Sequence, residues 1–223
     1  MRGVGLMELS KRMQSLVKLR YLAITINAKH LKKIRAGCWS SLQFLGIFNC
    51  DNLECLFEGL QYLESLRTLQ VGGCSQLVSL PRSLKFLTKL EHLAVILCGA
   101  INLQMELDDD HDLNLSLKTL TLWRLDALTD LPRLLLEGSA RSLQVIRIDT
   151  CFNIEKLPKW LPNLISLEKL ELIDCPNLSN FPKGRNGSSH QASTTENSRL
   201  SEVGATDTNE IGLRLHTSKR LMQ

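Results

Sequence analysis

At 223 residues and 43% apolar composition, the chain can bury a sizeable core in one or two domains, and with aromatics at only 5% that core must be aliphatic. A net charge of +4 is too small to argue for nucleic-acid binding by charge alone. Six basic and four acidic residues follow Pro182, so two of those charges sit there and no basic face forms. Glu8, Lys11 and Arg12 interrupt the apolar stretch behind Met1-Arg2, unlike a signal peptide, and no run reaches the roughly 18 apolar residues of a membrane span. The expectation is a cytoplasmic chain with no membrane or nucleic-acid partner, whose seven cysteines are thiols and not a disulfide framework.

Residues 1–15 are expected to be an N-terminal remnant or partial coil. From residue 16 a repeat takes over. Its core is a leucine-like residue, any residue, a second aliphatic, then a polar or cysteine position three further on. It runs as Leu22-Ile24-Asn27, Leu45-Ile47-Cys50, Leu69-Val71-Cys74 and Leu93-Val95-Cys98. It continues as Leu120-Leu122-Leu125, Ile146-Ile148-Cys151 and Leu170-Leu172-Cys175. The steps between copies are 23, 24, 24, 27, 26 and 24 residues. A leucine stands three residues ahead of every copy (Leu19, Leu42, Leu66, Leu90, Leu117, Leu143 and Leu167). A looser pair follows, such as Leu77 and Leu80 or Ile154 and Leu157, and Pro81, Pro132, Pro158 or Pro182 closes four of the coils.

Alternation of period two makes a short strand with one buried face. A single copy cannot bury that face, so copies must stack about 4.8 Å apart into one parallel sheet with a shared core. The pattern L-x-x-L-x-L-x-x-N/C is that of leucine-rich repeats. The predicted fold is an α/β solenoid, a leucine-rich-repeat horseshoe. A short-stranded parallel sheet lines its concave face, with loops, turns or short helices on the convex face. Seven coils are expected over 16–182. An amphipathic helical bundle is the competing fold, but valine and isoleucine at the second strand position and the regular prolines oppose it.

Cys50, Cys74, Cys98, Cys151 and Cys175 share one repeat position, with Asn27 and Leu125 in the other two coils. Metal binding would need clustered ligands, and none occur, so these read as small buried thiols at the turn leaving each strand. Cys38 and Cys55 fall off this position and take no assignment. The acidic run 108–112 lies in the longest step and reads as a solvated insertion loop, lacking calcium-loop spacing. No catalytic motif occurs, so neither an enzyme nor a cofactor is expected.

The coil endings "LGIFNCDNLECL", "LQVGGCSQLVSLP", "IRIDTCFNIEKLP" and "LELIDCPNLSNFP", and the early "SLVKLRYLAI", resemble the leucine-rich-repeat region of plant intracellular disease-resistance proteins, nearest to the coiled-coil, nucleotide-binding-site class. The resemblance covers roughly residues 10–182. It implies a recognition module of plant defence that binds a protein, either a pathogen effector or the receptor's own nucleotide-binding domain. No G-x-x-x-x-G-K-[ST] phosphate loop is present. The family's nucleotide switch therefore transfers to no residue here, and the chain is expected to be one part of a larger receptor. A substrate-recognition adaptor for ubiquitin transfer is the second reading, though residues 1–15 are too short for the helical segment it requires. A secreted ectodomain ranks third.

The residues flanking the two strand aliphatics point away from the core and should line the concave face in three columns. The first is Tyr21, Phe44, Thr68, His92, Thr119, Val145 and Lys169. The second is Ala23, Gly46, Gln70, Ala94, Thr121, Arg147 and Glu171. The third is Thr25, Phe48, Gly72, Ile96, Trp123, Asp149 and Ile173. Tyr21 opens the first column. Phe44, Phe48, His92, Ile96 and Trp123 form an apolar and aromatic zone suited to a protein partner. Alternatively, the aromatics only cover neighbouring strands. Arg147, Asp149, Lys169 and Glu171 form a charged zone that either contacts a partner or pairs across the ladder. After Lys183 the periodicity stops, and the polar composition of 183–223 predicts a disordered tail.

Overall fold

A computed structural model describes residues 16–25, 38–56, 59–104 and 114–179. The expectations for 1–15, for the acidic run 108–112 and for 183–223 lie outside the described residues. The seven strand cores of the repeat become seven strands: β1 (Tyr21–Ile24), β2 (Phe44–Phe48), β3 (Thr68–Gly72), β4 (His92–Ile96), β5 (Thr119–Trp123), β6 (Val145–Asp149) and β7 (Lys169–Ile173). They pair in chain order, all parallel, in a single sheet.

The register is one-to-one throughout. Leu22, Leu45, Leu69, Leu93, Leu120, Ile146 and Leu170 form one row, and Ile24, Ile47, Val71, Val95, Leu122, Ile148 and Leu172 form the next. A slip of one residue in any coil would turn both aliphatics outward, so the hydrophobic pattern fixes the pairing. The longer steps of 27 and 26 residues are absorbed outside the strands, because β4, β5 and β6 keep the same pairing as the rest.

Inside the coils, the row from Leu22 to Ile146 is buried, as are Leu42, Leu66, Leu90, Leu117 and Leu143 ahead of β2 to β6, whereas Leu19, Leu167 and Leu170 at the two ends are partly buried. Each buried side chain contributes roughly 1.5–3 kcal/mol by leaving water. The leucines after the strand, such as Leu77, Leu128 and Ile154, complete the same core. On the convex side the described residues make 3-10 turns at Leu60–Tyr62, Arg82–Phe86 and Leu161–Asn163 and one short helix, α1 (Arg133–Glu137). Pro81 and Pro132 stand at the entries to the second of these turns and to α1, with φ of −72° and −71°. Proline fits there because its φ is preset and its missing N–H would have had no partner in the first turn.

One repeated device was not legible in the residue pattern. The residue just after the strand has a left-handed backbone in six consecutive coils: Asn49, Gly73, Leu97, Arg124, Thr150 and Asp174, with φ between 49° and 65°. In five of them its N–H donates to the last carbonyl of the next strand: Asn49 to Gly72, Gly73 to Ile96, Leu97 to Trp123, Arg124 to Asp149 and Thr150 to Ile173, at 2.8–2.9 Å. The turn thus continues the ladder one bond beyond the strand and swings the following thiol into the core. Glycine and asparagine tolerate this conformation, whereas β-branched Thr150 is strained in it.

Candidate concave interface

The three columns are built as the repeat implies. The first runs Tyr21, Phe44, Thr68, His92, Thr119, Val145, Lys169 in direct register. The third runs Phe48, Gly72, Ile96, Trp123, Asp149, Ile173. At the start of the first column the rings of Tyr21 and Phe44 stack, with centroids 4.2 Å apart and planes at 5°. Tyr21 is 60% exposed, so this pair presents an open aromatic surface.

Phe48 has a second task. Its ring lies over two glycines, because a Cβ at Gly46 would meet it at 2.5 Å and one at Gly72 at 3.1 Å. Gly46 and Gly72 are accordingly buried on the concave side. The ring thus replaces the side chains those strands lack, which is the covering alternative, and Phe44 shares in it, since a Cβ at Gly46 would meet its ring at 3.1 Å. Trp123 and Phe44 remain half-buried. Ile96, expected among the exposed apolar residues, is 6% exposed without joining the core cluster. It sits between Gly72 and Trp123 on strands about 4.8 Å away, on the inside of a curve where side chains crowd. Ile96 is therefore floor and not contact. Thr68, at 8% exposed, is covered in the same way.

The charged zone pairs along strands and not across the ladder. Arg147 Nη2 lies 3.4 Å from Asp149 Oδ2 on β6, and Lys169 Nζ lies 3.0 Å from Glu171 Oε1 on β7. Thr150 adds a hydroxyl donating to Asp149 Oδ1 at 2.8 Å. Residues two apart on a strand share a face, so these are local neutralisations.

The position just ahead of each strand, which the three columns leave out, carries a stronger cluster. Glu91 accepts a hydrogen bond from Arg67 Nη1 at 2.6 Å, and Lys118 Nζ stands 3.5 Å from its other oxygen. His92 Nε2 lies 4.0 Å from that same oxygen. These groups come from three successive coils, 24 and 27 residues apart. The signal was available in the sequence, since Arg20, Gln43, Arg67, Glu91, Lys118, Gln144 and Glu168 form a fourth column in register with the others.

The shared cysteine slot is structural. Cys50, Cys74, Cys98 and Cys151 are wholly buried, and Cys175 in the last described coil is half-buried. Each thiol donates to the carbonyl two residues back: Cys50 to Phe48, Cys74 to Gly72, Cys98 to Ile96, Cys151 to Asp149 and Cys175 to Ile173, at 3.3–3.6 Å. That bond closes the left-handed turn. Burial pushes the Cys151 and Cys175 thiols up from their ordinary range, and the hydrogen-bonded contact with Cys98 together with burial pushes Cys74 up. Such thiols are poor nucleophiles. Leu125 fills the slot without a donor and is wholly buried. Cys38 is buried in the core, and Cys55 is exposed in an isolated bridge with Ser79. Among the described residues, no group of three or more His, Cys, Asp or Glu side chains is placed to hold a metal ion. No helix among them is long and apolar enough to cross a membrane.

Comparison with known proteins agrees with this architecture. Over 66 residues the chain is 39% identical to the probable disease resistance protein At5g66890 of Arabidopsis thaliana, a stretch that is 28% of this chain and 15% of that relative. The matched part of this chain thus spans about a seventh of the relative's length. The family described as plant disease resistance protein RPS2-like, leucine-rich repeats, matches residues 58–176, a span that contains β3 to β7. That span is more than half of the 223 residues, and the chain belongs to this family of leucine-rich-repeat regions of plant disease resistance proteins.

Proposed function

We propose that the chain is a non-catalytic recognition module of plant defence, acting in the cytosol, whose concave face binds a protein. The partner is a pathogen effector or the receptor's own nucleotide-binding domain. The observation that carries this reading is the set of concave aromatics, Tyr21 and Phe44 in the first column and Trp123 in the third, held partly open on a sheet whose other face is buried from β1 to β6. Half-exposed aromatic rings fixed on rigid strands lose little entropy on binding and are typical anchors of protein interfaces. Family membership supports a defence role, and leucine-rich-repeat regions are typically interaction modules, which favours binding over chemistry.

The test is the double substitution Phe44→Ala/Trp123→Ala in the full chain. Binding is measured by calorimetry against a purified nucleotide-binding domain of this receptor class and against a panel of purified effectors. Phe48 is left in place because it covers both Gly46 and Gly72, whereas Phe44 meets Gly46 alone. The expected result is at least about tenfold weaker binding to whichever protein the wild-type chain binds, with cooperative unfolding retained. Full affinity in a folded double variant overturns the proposal.

A further inference from the structure

The cluster around Glu91 is not used by the general reading above, and beside the aromatic stack on which that reading rests it defines the chemistry of a partner. Glu91 is one carboxylate facing two full cations and a histidine. Its side chain is 22% exposed, whereas Arg67 and Lys118 are 53% and 49% exposed. The carboxylate is tucked beneath, and the cations it orients face solvent, with a surplus of positive charge among the described residues of this cluster. Immediately beside Arg67 in the sheet, the Tyr21–Phe44 stack offers a flat apolar surface. The other end of the same face has the opposite balance. Arg147 and Lys169 are matched by Asp149 and Glu171, with Glu168 and Asp174 in excess.

Resting on the concave-face reading, we propose that this rim receives an acidic, extended segment of a protein partner lying across β1 to β5. One apolar side chain packs on Tyr21 and Phe44, and carboxylates meet Arg67 and Lys118. The spacing follows from the sheet. Arg67 precedes β3 and Lys118 precedes β5, two strand intervals apart, or about 10 Å. From the middle of the aromatic stack to Arg67 is about 7 Å. An extended chain advances about 3.3 Å per residue, so the segment carries an apolar residue with carboxylates about two and about five positions from it. Charged donors already held by Glu91 lose little freedom on binding, and their surplus charge speeds the encounter with an acidic segment.

The experiment selects from a random 12-residue peptide library displayed on phage, using the full chain as bait, and then measures the recovered peptide by fluorescence anisotropy. Three folded proteins are compared: wild type, Arg67→Gln/Lys118→Gln, and Lys156→Gln/Lys159→Gln. The last removes the same charge away from the rim and controls for net charge. The expected result is enrichment of peptides with an apolar residue and carboxylates at the stated spacing. Their affinity falls roughly tenfold or more in the rim variant, is unchanged in the control and declines with added salt. No enrichment, enrichment without carboxylates, or equal loss in both variants overturns the inference. Tighter binding of a single-stranded oligonucleotide than of the peptide also overturns it, in favour of nucleic acid. If binding instead falls in Phe44→Ala/Trp123→Ala but not in the rim variant, the inference is overturned while the concave-face reading stands.

Discussion

The two faces of the sheet obey different rules although the same strands make both. On β3, Leu69 and Val71 point inward and are sealed, while Gln70 between them looks out. The inward rows hold leucine, isoleucine or valine in every coil. The outward columns hold tyrosine, glycine, glutamine, histidine, threonine, tryptophan, arginine and lysine at equivalent positions. The inner face is constrained because each side chain must fit both neighbours about 4.8 Å away, at interior packing density. The outer face meets no such demand, so its identities are open to other requirements. The difference locates stability on one side and recognition on the other, and it can be challenged one substitution at a time.

The largest effect is expected on the inner face. Leu93→Ala, on β4 with a coil on either side, should destabilise by about 3–4 kcal/mol through lost transfer energy and a cavity that stacked neighbours cannot collapse. Leu172→Ala on β7 should lose about half as much, because that side chain is already half-exposed. Urea unfolding of the full chain followed by circular dichroism reads both. Equal losses would show that the last described coil is covered as fully as the middle ones.

Next comes an outer residue that breaks the division. Phe48→Ala should destabilise by about 1–2 kcal/mol, since it uncovers the backbone at Gly46 and Gly72 together with the packing of the ring. Trp123→Ala, in the same column, should change stability by under about 1 kcal/mol, because its side chain already meets solvent. The pair is measured by the same melts. A Trp123 variant as damaged as the Phe48 variant would turn the aromatic column from a recognition surface into strand cover.

A smaller change of opposite sign is expected where strand turns into coil. Thr150→Asn should raise stability by about 0.5–1 kcal/mol, read as a shift in the urea midpoint. A β-branched residue at φ 55° is strained, whereas Asn49 occupies the same slot at φ 54° without a β-branch. The gain is reduced by loss of the hydroxyl bond to Asp149, so an unchanged midpoint would mean that this bond offsets the strain fully.

How much of this was written in the residues follows from what repetition can encode. Seven copies of one pattern predicted seven strands, their parallel order and the membership of each concave column, because a period-two core in register admits one stacking. The shared slot of Cys74 and Cys98 was legible as buried thiols for the same reason. Pairwise facts were not legible. That Phe48 lies over Gly46 and Gly72, that Ile96 sinks beside Trp123, and that Glu91 gathers Arg67 and Lys118 all depend on side-chain directions and on residues 24 to 27 positions away. The left-handed turn was hidden because Asn49, Leu97, Arg124 and Thr150 share no chemistry that marks it.

The smallest effect sharpens the comparison within the outer face itself. Arg147→Ala removes a cation whose partner, Asp149, lies on its own strand at 3.4 Å and keeps the Thr150 hydroxyl as a donor. An exposed pair of this kind contributes about 0–1 kcal/mol, so the melting midpoint should hardly move. Arg67→Ala differs, since Glu91 is less exposed than its partners and holds cations from two other coils. Yet Lys118 still faces Glu91 after that change, so the loss should also stay under about 1 kcal/mol. The distinguishing reading is salt dependence. If the Glu91 cluster is a joined network, Arg67→Ala should flatten the dependence of stability on ionic strength, whereas Arg147→Ala should leave it as it was. Identical salt profiles for the two variants would mean that the two charged zones differ in composition alone, and that the surplus positive charge at the Glu91 rim confers no collective property on the fold.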